Sequence, residues 1–483
     1  MSYNKKEIKM KIKGVMKMDK KKNLTFEPKS GWLQLKDKEI NDIMKYNEDY
    51  KKFLNVAKTE RLAALEIIRQ VEEAGFVDIN KIVEKGEKIK PGTKIFVNNK
   101  NKSIGLFIMG KQPLENGMNI VGSHIDSPRL DFKPNPIYED GHISLAKTHY
   151  YGGVKKYQWT TIPLAIHGVL FKKNGEQVNV AIGDSPDDPV FCVTDLLIHL
   201  SKAQMQKKMA EAVTGEMMNV VLGNIPLKDE KEGEAVKLGV LSILMDKYGI
   251  TEEDFLMAEI EVVPAGDARD LGLDRSMVLS YGQDDRVCAY ATLNAILDIE
   301  KPEFTACALF MDKEEIGSYG NTGMDSYFLE NTVHELISLE GEYSALKVRR
   351  AMKNSKVLSA DVTAAYDPDF PEVMEKQNTY YLGFGVAVSK YGGSGGKGGS
   401  NDANAEFLAE LRKTFADNDV VWQIGEMGKV DAGGGGTIAY LLSRYGMEVV
   451  DCGTPVLNMH SPNEISSKVD NYMTMKAYKA FMK

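Results

Sequence analysis

Three acidic stretches and two histidines in this chain have the types and spacing for metal-assisted hydrolysis. "FMDKEEIGS" sets Glu314 beside Glu315 after a nearly apolar run, 304–311. "SYGQDDRVCAY" carries Asp284 and Asp285, and "LSADVTAAYDP" carries Asp361, each bordering an apolar segment. His124 in "VGSHIDSP" and His460 in "LNMHSPNE" also follow apolar runs, and Asp126 lies two residues beyond His124. Residues i and i+2 of an extended chain share a face, so Asp126 can accept the second N–H of the His124 imidazole and fix its tautomer. Side-by-side carboxylates repel unless cations change the local sign of charge. Together His124, Asp284, Glu315, Asp361 and His460 supply two imidazoles and three carboxylates. That set suits two borderline divalent ions, zinc, cobalt or manganese, with one carboxylate bridging. If Glu315 binds metal, Glu314 is free as the base for a metal-activated water that attacks a polarised carbonyl. No H-E-x-x-H or phosphate-loop motif competes.

The other histidines are weaker candidates. His199 in "DLLIHLSK" and His334 in "TVHELI" lie on helical apolar patterns and read as structural. His142 and His167 have no acidic residue two positions after them. His149, in "AKTHYYGG", precedes a glycine turn and is kept as a substrate contact.

These residues need a frame. Residues 38–75 have helical spacing and predict one helix ending at Gly75. "KIFVNN", "SIGLFIMG" and "GMNIVGSHIDSP" predict strands. From 135 to 275 the chain holds short β-rich pieces at 161–171, 178–183 and 254–266, with a Met-rich helical or mobile segment at 201–219. Beyond residue 276 strands and helices alternate, which argues an α/β layered sheet, whose strand ends are where open sheets place ligands. The glycine-rich run 391–405 reads as a mobile loop.

At 483 residues the chain has material for two or three domains. Its net charge of −8 argues against nucleic acid as a partner. No run approaches the ~20 apolar residues of a membrane span. The lysine-rich N-terminus lacks a secretory core and reads as an exposed arm or first strand. The four cysteines are scattered among apolar neighbours, as buried free thiols of a cytoplasmic protein would be.

The ordered landmarks "SHIDSP", "YYGG" with Trp159 downstream, "QDDR", "DKEEIGS", "SADVTAAYDP", "SKYGG", "GGGGT" and "MHSPNE" resemble the M18 metallopeptidases. This aspartyl-aminopeptidase family belongs to the co-catalytic zinc exopeptidases. The resemblance implies a zinc-exopeptidase-type α/β/α layered mixed sheet. It divides the chain into a catalytic domain, 1–132 with 276–483, and an inserted β-rich dimerisation and substrate-access domain, 133–275. It implies an aminopeptidase acting on peptides, with two divalent ions per subunit, zinc foremost and cobalt or manganese fitting. His124, Glu315, Asp361 and His460 become ligands and Asp284 the bridge, followed by a cis peptide. Glu314 becomes the base, Asp126 the partner behind His124, and Lys390 a residue near the substrate. Assembly would be dimers within a tetrahedral twelve-subunit shell. Departures surround the substrate pocket: Ala364 stands where acid-preferring members carry histidine, residues 161–164 read "TIPL" for "DRDL", and the glycine-rich loop replaces "QRY". A deblocking or carboxypeptidase-type exopeptidase would use the same five ligands. A non-catalytic metal-binding protein would have no need of Glu314.

Overall fold

The computed structural model describes residues 24–228 and 233–483, so the lysine-rich arm at 1–23 lies outside the described residues. A nine-stranded mixed sheet forms the centre. Its middle is four parallel neighbours in the order Thr305–Met311, Met118–His124, Lys356–Ser359 and Glu448–Gly453. Strand Ser103–Ile108 pairs antiparallel on one side of this block and Val386–Ser389 on the other.

The middle strands are apolar without a break because both faces are covered. Along Thr305–Met311, Ala306, Ala308 and Phe310 enter one core and Cys307, Leu309 and Met311 the other. This is the strand's period of two read out as two buried layers. The first core takes side chains from helices Asp37–Val56, Glu60–Glu73, Gln283–Leu297, Ala405–Asp417 and Lys468–Met482. The second takes those of Phe328–Glu340, Ala345–Asn354 and Ala439–Ser443. The result is the expected α/β/α layering.

Strands between Arg129 and Pro264 build a separate seven-stranded antiparallel sheet with its own core around Trp159, Leu164 and Val262. A third sheet joins Arg269–Leu271, Met277–Ser280, Glu464–Ser467, Pro455–Leu457 and Thr363–Ala364.

Local departures from expectation have physical causes. The helix expected over 38–75 is two, Asp37–Val56 and Glu60–Glu73. Thr59 caps the second by accepting the Leu62 N–H at 3.2 Å. Lys58, in the break, is buried and donates to the Pro264 and Gly266 carbonyls at 3.3 and 2.5 Å. The 201–219 segment forms one-turn pieces, Gln204–Gln206, Met209–Ala212 and Gly215–Met217. The β-rich region also carries a helix, Ala235–Tyr248. The 254–266 piece begins with the 3-10 turn Glu252–Met257, and only Glu259–Pro264 is strand. His199 sits exposed in the 3-10 turn Ile198–Leu200 instead of on an apolar helix face. All four cysteines are free, but Cys192 is only half-buried. The glycine-rich run is tied down, its Gly393 N–H donating to Gly435 O at 2.8 Å. Among the described residues no helix is long and apolar enough to cross a membrane.

Candidate active site

The parallel strands end side by side, and their C-terminal ends deliver most of the acidic residues and His124. His124 closes strand Met118–His124, Asp361 lies two residues past Ser359, and Glu314 and Glu315 lie three and four past Met311. Asp284 enters at the start of helix Gln283–Leu297, and His460 in the turn between Pro455–Leu457 and Glu464–Ser467. The Asp284–Asp285 peptide is cis.

Asp284 stands between the two imidazoles. Its Oδ1 is 3.3 Å from His124 Nε2 and its Oδ2 is 3.2 Å from His460 Nε2. Asp361 Oδ1 lies 3.7 Å from His124 Nε2, and Glu315 Oε2 lies 3.4 Å from His460 Nε2. Glu314 Oε2 is 4.0 Å from His124 Nε2. Each imidazole is oriented from behind. His124 Nδ1 faces the Asp126 carbonyl at 3.0 Å and Asp126 Oδ1 at 3.2 Å. His460 Nδ1 faces the Gly153 carbonyl at 2.8 Å. With Nδ1 donating in both, each Nε2 faces Asp284, donating to it while the ring is protonated and offering its lone pair to a cation once that proton has left.

Asp126 also fixes the glutamates. Its Oδ1 accepts the Glu314 N–H and its Oδ2 the Glu315 N–H, both at 3.2 Å, while Tyr151 donates its hydroxyl to Oδ2 at 2.8 Å.

The electrostatics are those of a centre short of positive charge. Burial opposes ionisation of Asp284, but hydrogen bonds from His124 and His460 win and hold its carboxyl below the usual range. Burial and the Asp284 charge push Glu315 well up. Burial and the Asp361 charge lift Glu314 to about 8. Burial works against a charged His460, yet Asp284 and Glu315 raise it to about 10.

The donors fit divalent cations. A tetrahedral ion with bonds of about 2.0–2.1 Å has ligand atoms ~3.3 Å apart, and the His–carboxylate spacings cluster there. His124, Asp284 and Glu315, and likewise His124, Asp285 and Asp361, place ligand atoms within 4.8 Å of one another. Glu315 Oε1 is buried with no hydrogen-bond partner. Asp285, by contrast, turns Oδ2 to the His124 N–H at 3.2 Å. A cavity of about 500 Å³ opens onto Asp284, Glu314, Glu315, Asp361 and His460.

A sequence profile described as aminopeptidase I zinc metalloprotease (M18) matches residues 53–482. The chain belongs to the M18 family. A "Probable M18 family aminopeptidase 1" of Clostridium acetobutylicum is 51% identical over 460 residues, covering 95% of this chain and 99% of that one. The crystal structure of the Thermotoga maritima M18 aminopeptidase superposes with a TM-score of 0.90 at 46% identity, covering 95% and 100%. Aminopeptidase I of Clostridium acetobutylicum gives 0.89 at 49% identity, also covering 95% and 100%. This M18 chain is a metallo-aminopeptidase, a hydrolase of peptide bonds.

Two expected substrate contacts stand apart from the M18 centre. Ser389 and Tyr391 line the cavity, and Lys390 between them does not, as alternation along an extended chain requires. Lys390 is half exposed, its Nζ 3.9 Å from Asp402. His149 is exposed, its ring stacked on Tyr150. Two residues on, it is Tyr151 that reaches Asp126. His167, considered without an acidic partner, has Asp184 Oδ2 at 2.8 Å.

Residue typing overlooked other members. Gly153 approaches His460 so closely that a Cβ there would sit 3.3 Å from Nδ1. Asp451 lines the cavity, accepts from the Thr437 hydroxyl at 2.5 Å and is lifted by burial to about 6. Glu464, buried, receives the N–H groups of both Asp284 and His460. Its sequence signal was the acidic end of "MHSPNE", four residues past a ligand candidate.

Proposed function

We propose that this M18 enzyme binds two divalent cations, zinc foremost, and removes N-terminal residues from peptides. His124 and Asp361 would hold one ion and His460 and Glu315 the other, with Asp284 shared. The observation that carries the reading is that the two Asp284 oxygens each face a different imidazole, at 3.3 and 3.2 Å. Bound there, the cations would polarise the scissile carbonyl and lower the pKa of an attacking water.

The remaining work falls to the chain. Glu314 borders the cavity and is held by its backbone N–H on Asp126, so its carboxylate can take the proton of the water and return it to the departing amine. In the cation-free centre burial and Asp361 raise its pKa to about 8, and cations held by the neighbouring carboxylates would favour the ionised form that a base requires. Asp126 and Gly153 keep the two imidazoles in the tautomer that leaves Nε2 free. The cavity takes the N-terminal residue, and Lys390 and His149 would act only on substrate parts beyond it.

The region 133–275 would serve as the inserted dimerisation and access domain of a homo-oligomer, within a tetrahedral twelve-subunit shell. Exposed Leu197, Ile198, Leu200, Met205 and Met209 support a contact surface there.

Glu314→Gln tests the mechanism. General-base loss costs about 10²–10⁴-fold in kcat. Zinc content by atomic emission should stay at the wild-type value. Unchanged turnover would reject Glu314 as the base.

A further inference from the structure

The second half of the centre is assembled from distant parts of the chain by one buried carboxylate. Asp284 begins a helix and His460 sits in a turn at φ +65°, a conformation that a non-glycine residue holds only when its surroundings impose it. Glu464 opens the strand that follows His460 and pairs in register with Ser280, just ahead of Asp284. Its Oε1 accepts the His460 N–H at 2.8 Å and its Oε2 the Asp284 N–H at 3.0 Å. Its own carbonyl accepts from Gln283 Nε2 at 2.7 Å. The Glu464 side chain is 1% exposed and touches the peptide N–H groups of two residues whose side-chain donors lie 3.2 Å apart.

A carboxyl in this place is expensive, because it is buried beside other acids. An apolar residue would strand two N–H groups, and glutamine offers one acceptor oxygen where two are used. What both acceptors achieve is a fixed separation of the Asp284 and His460 backbones. Glu464 thus holds two of the three proposed donors on the His460 side, but on the His124 side only the shared Asp284, and it reaches neither His124 nor Asp361. We propose that Glu464 is a positioning residue that sets the spacing of His460 and Asp284, and so governs foremost the retention of the cation on the His460 side. The proposal rests on the two-cation reading above.

The test is chelator competition on the full-length, zinc-loaded chain, with retained zinc counted by atomic emission. Wild type should release its ions in two steps. Glu464→Gln should lose one ion at ~10–100-fold lower chelator, the range for removing a group that orients a ligand. The other step should stay within about threefold. His460→Ala should abolish the same step, and adding Glu464→Gln to it should leave the surviving step unmoved. Equal weakening of both steps by Glu464→Gln, as a general folding defect gives, overturns the selective role, as does no shift in either. A Glu464→Gln chain that does not fold is replaced by Glu464→Asp, which keeps both acceptors but not their reach and must show the same one-sided loss. A wild type that releases a single ion overturns the two-cation reading itself, and the Glu464 proposal with it.

Discussion

Asp126→Asn isolates the residue on which the mechanism's geometry converges. The aspartate accepts at both oxygens: Oδ1 faces His124 Nδ1 and the Glu314 N–H, and Oδ2 faces the Tyr151 hydroxyl and the Glu315 N–H. An amide nitrogen must replace one oxygen. In the Oδ1 place it would confront two N–H donors, so it will take the Oδ2 place. There Tyr151 can rotate its hydroxyl to accept, but the Glu315 N–H is left facing a donor. One buried amide without a partner costs about 1–3 kcal/mol. That loss falls on the backbone of a proposed ligand, so cation retention should weaken by ~10–100-fold, or about 1.4–2.8 kcal/mol. Urea unfolding of the cation-free chain should register the first figure and chelator competition the second. If both midpoints and kcat stay within about twofold of wild type, Asp126 does not organise the centre.

Asp284→Asn should lower zinc occupancy in both steps of a chelator titration, because one carboxylate serves both imidazoles; two ions held with wild-type strength would rule it out as the bridge. Cation affinity should rise with pH between about 6 and 9. Without cations Glu315 is pushed well up by burial and Asp284, and His460 to about 10 by Asp284 and Glu315 despite its burial, so both hold protons that binding must expel. A flat profile in calorimetry, with no proton release across buffers, would contradict this. The cavity presents Asp451, a carboxylate above its pKa of about 6, and no lysine or arginine lines it among the described residues. Leucyl peptides should therefore exceed aspartyl peptides in kcat/KM by at least about tenfold, roughly 1.4 kcal/mol of like-charge and desolvation cost; equal rates would refute it.

Much of this was legible in residue order. Apolar runs ending in His124 or Met311, or shortly before Asp361, announce strands whose ends carry donors, because buried parallel strands need no alternation and their C-terminal edge is where polar side chains reach open space. The helix expected over 38–75 failed because its apolar spacing continues through Lys58, while the break is imposed by carbonyls more than 200 residues away. The histidine ranking failed at His199 for a related reason: an apolar pattern shows which residues seek burial, not whether anything arrives to cover them.

By itself, the sequence determined the chemistry available: two imidazoles, the carboxylates, and a spare glutamate beside a ligand, all local facts of residue type. Only the tertiary structure decided how they act together. Asp284 rather than Asp285 faces both imidazoles, the main chain of Gly153 orients His460, and Glu464 ties Asp284 to the turn that carries His460. These are contacts between backbone groups and residues up to 307 positions apart. A main-chain carbonyl or N–H is the same at every residue, so its part in a site is written in no residue type and emerges only when the sheets bring the strand ends together.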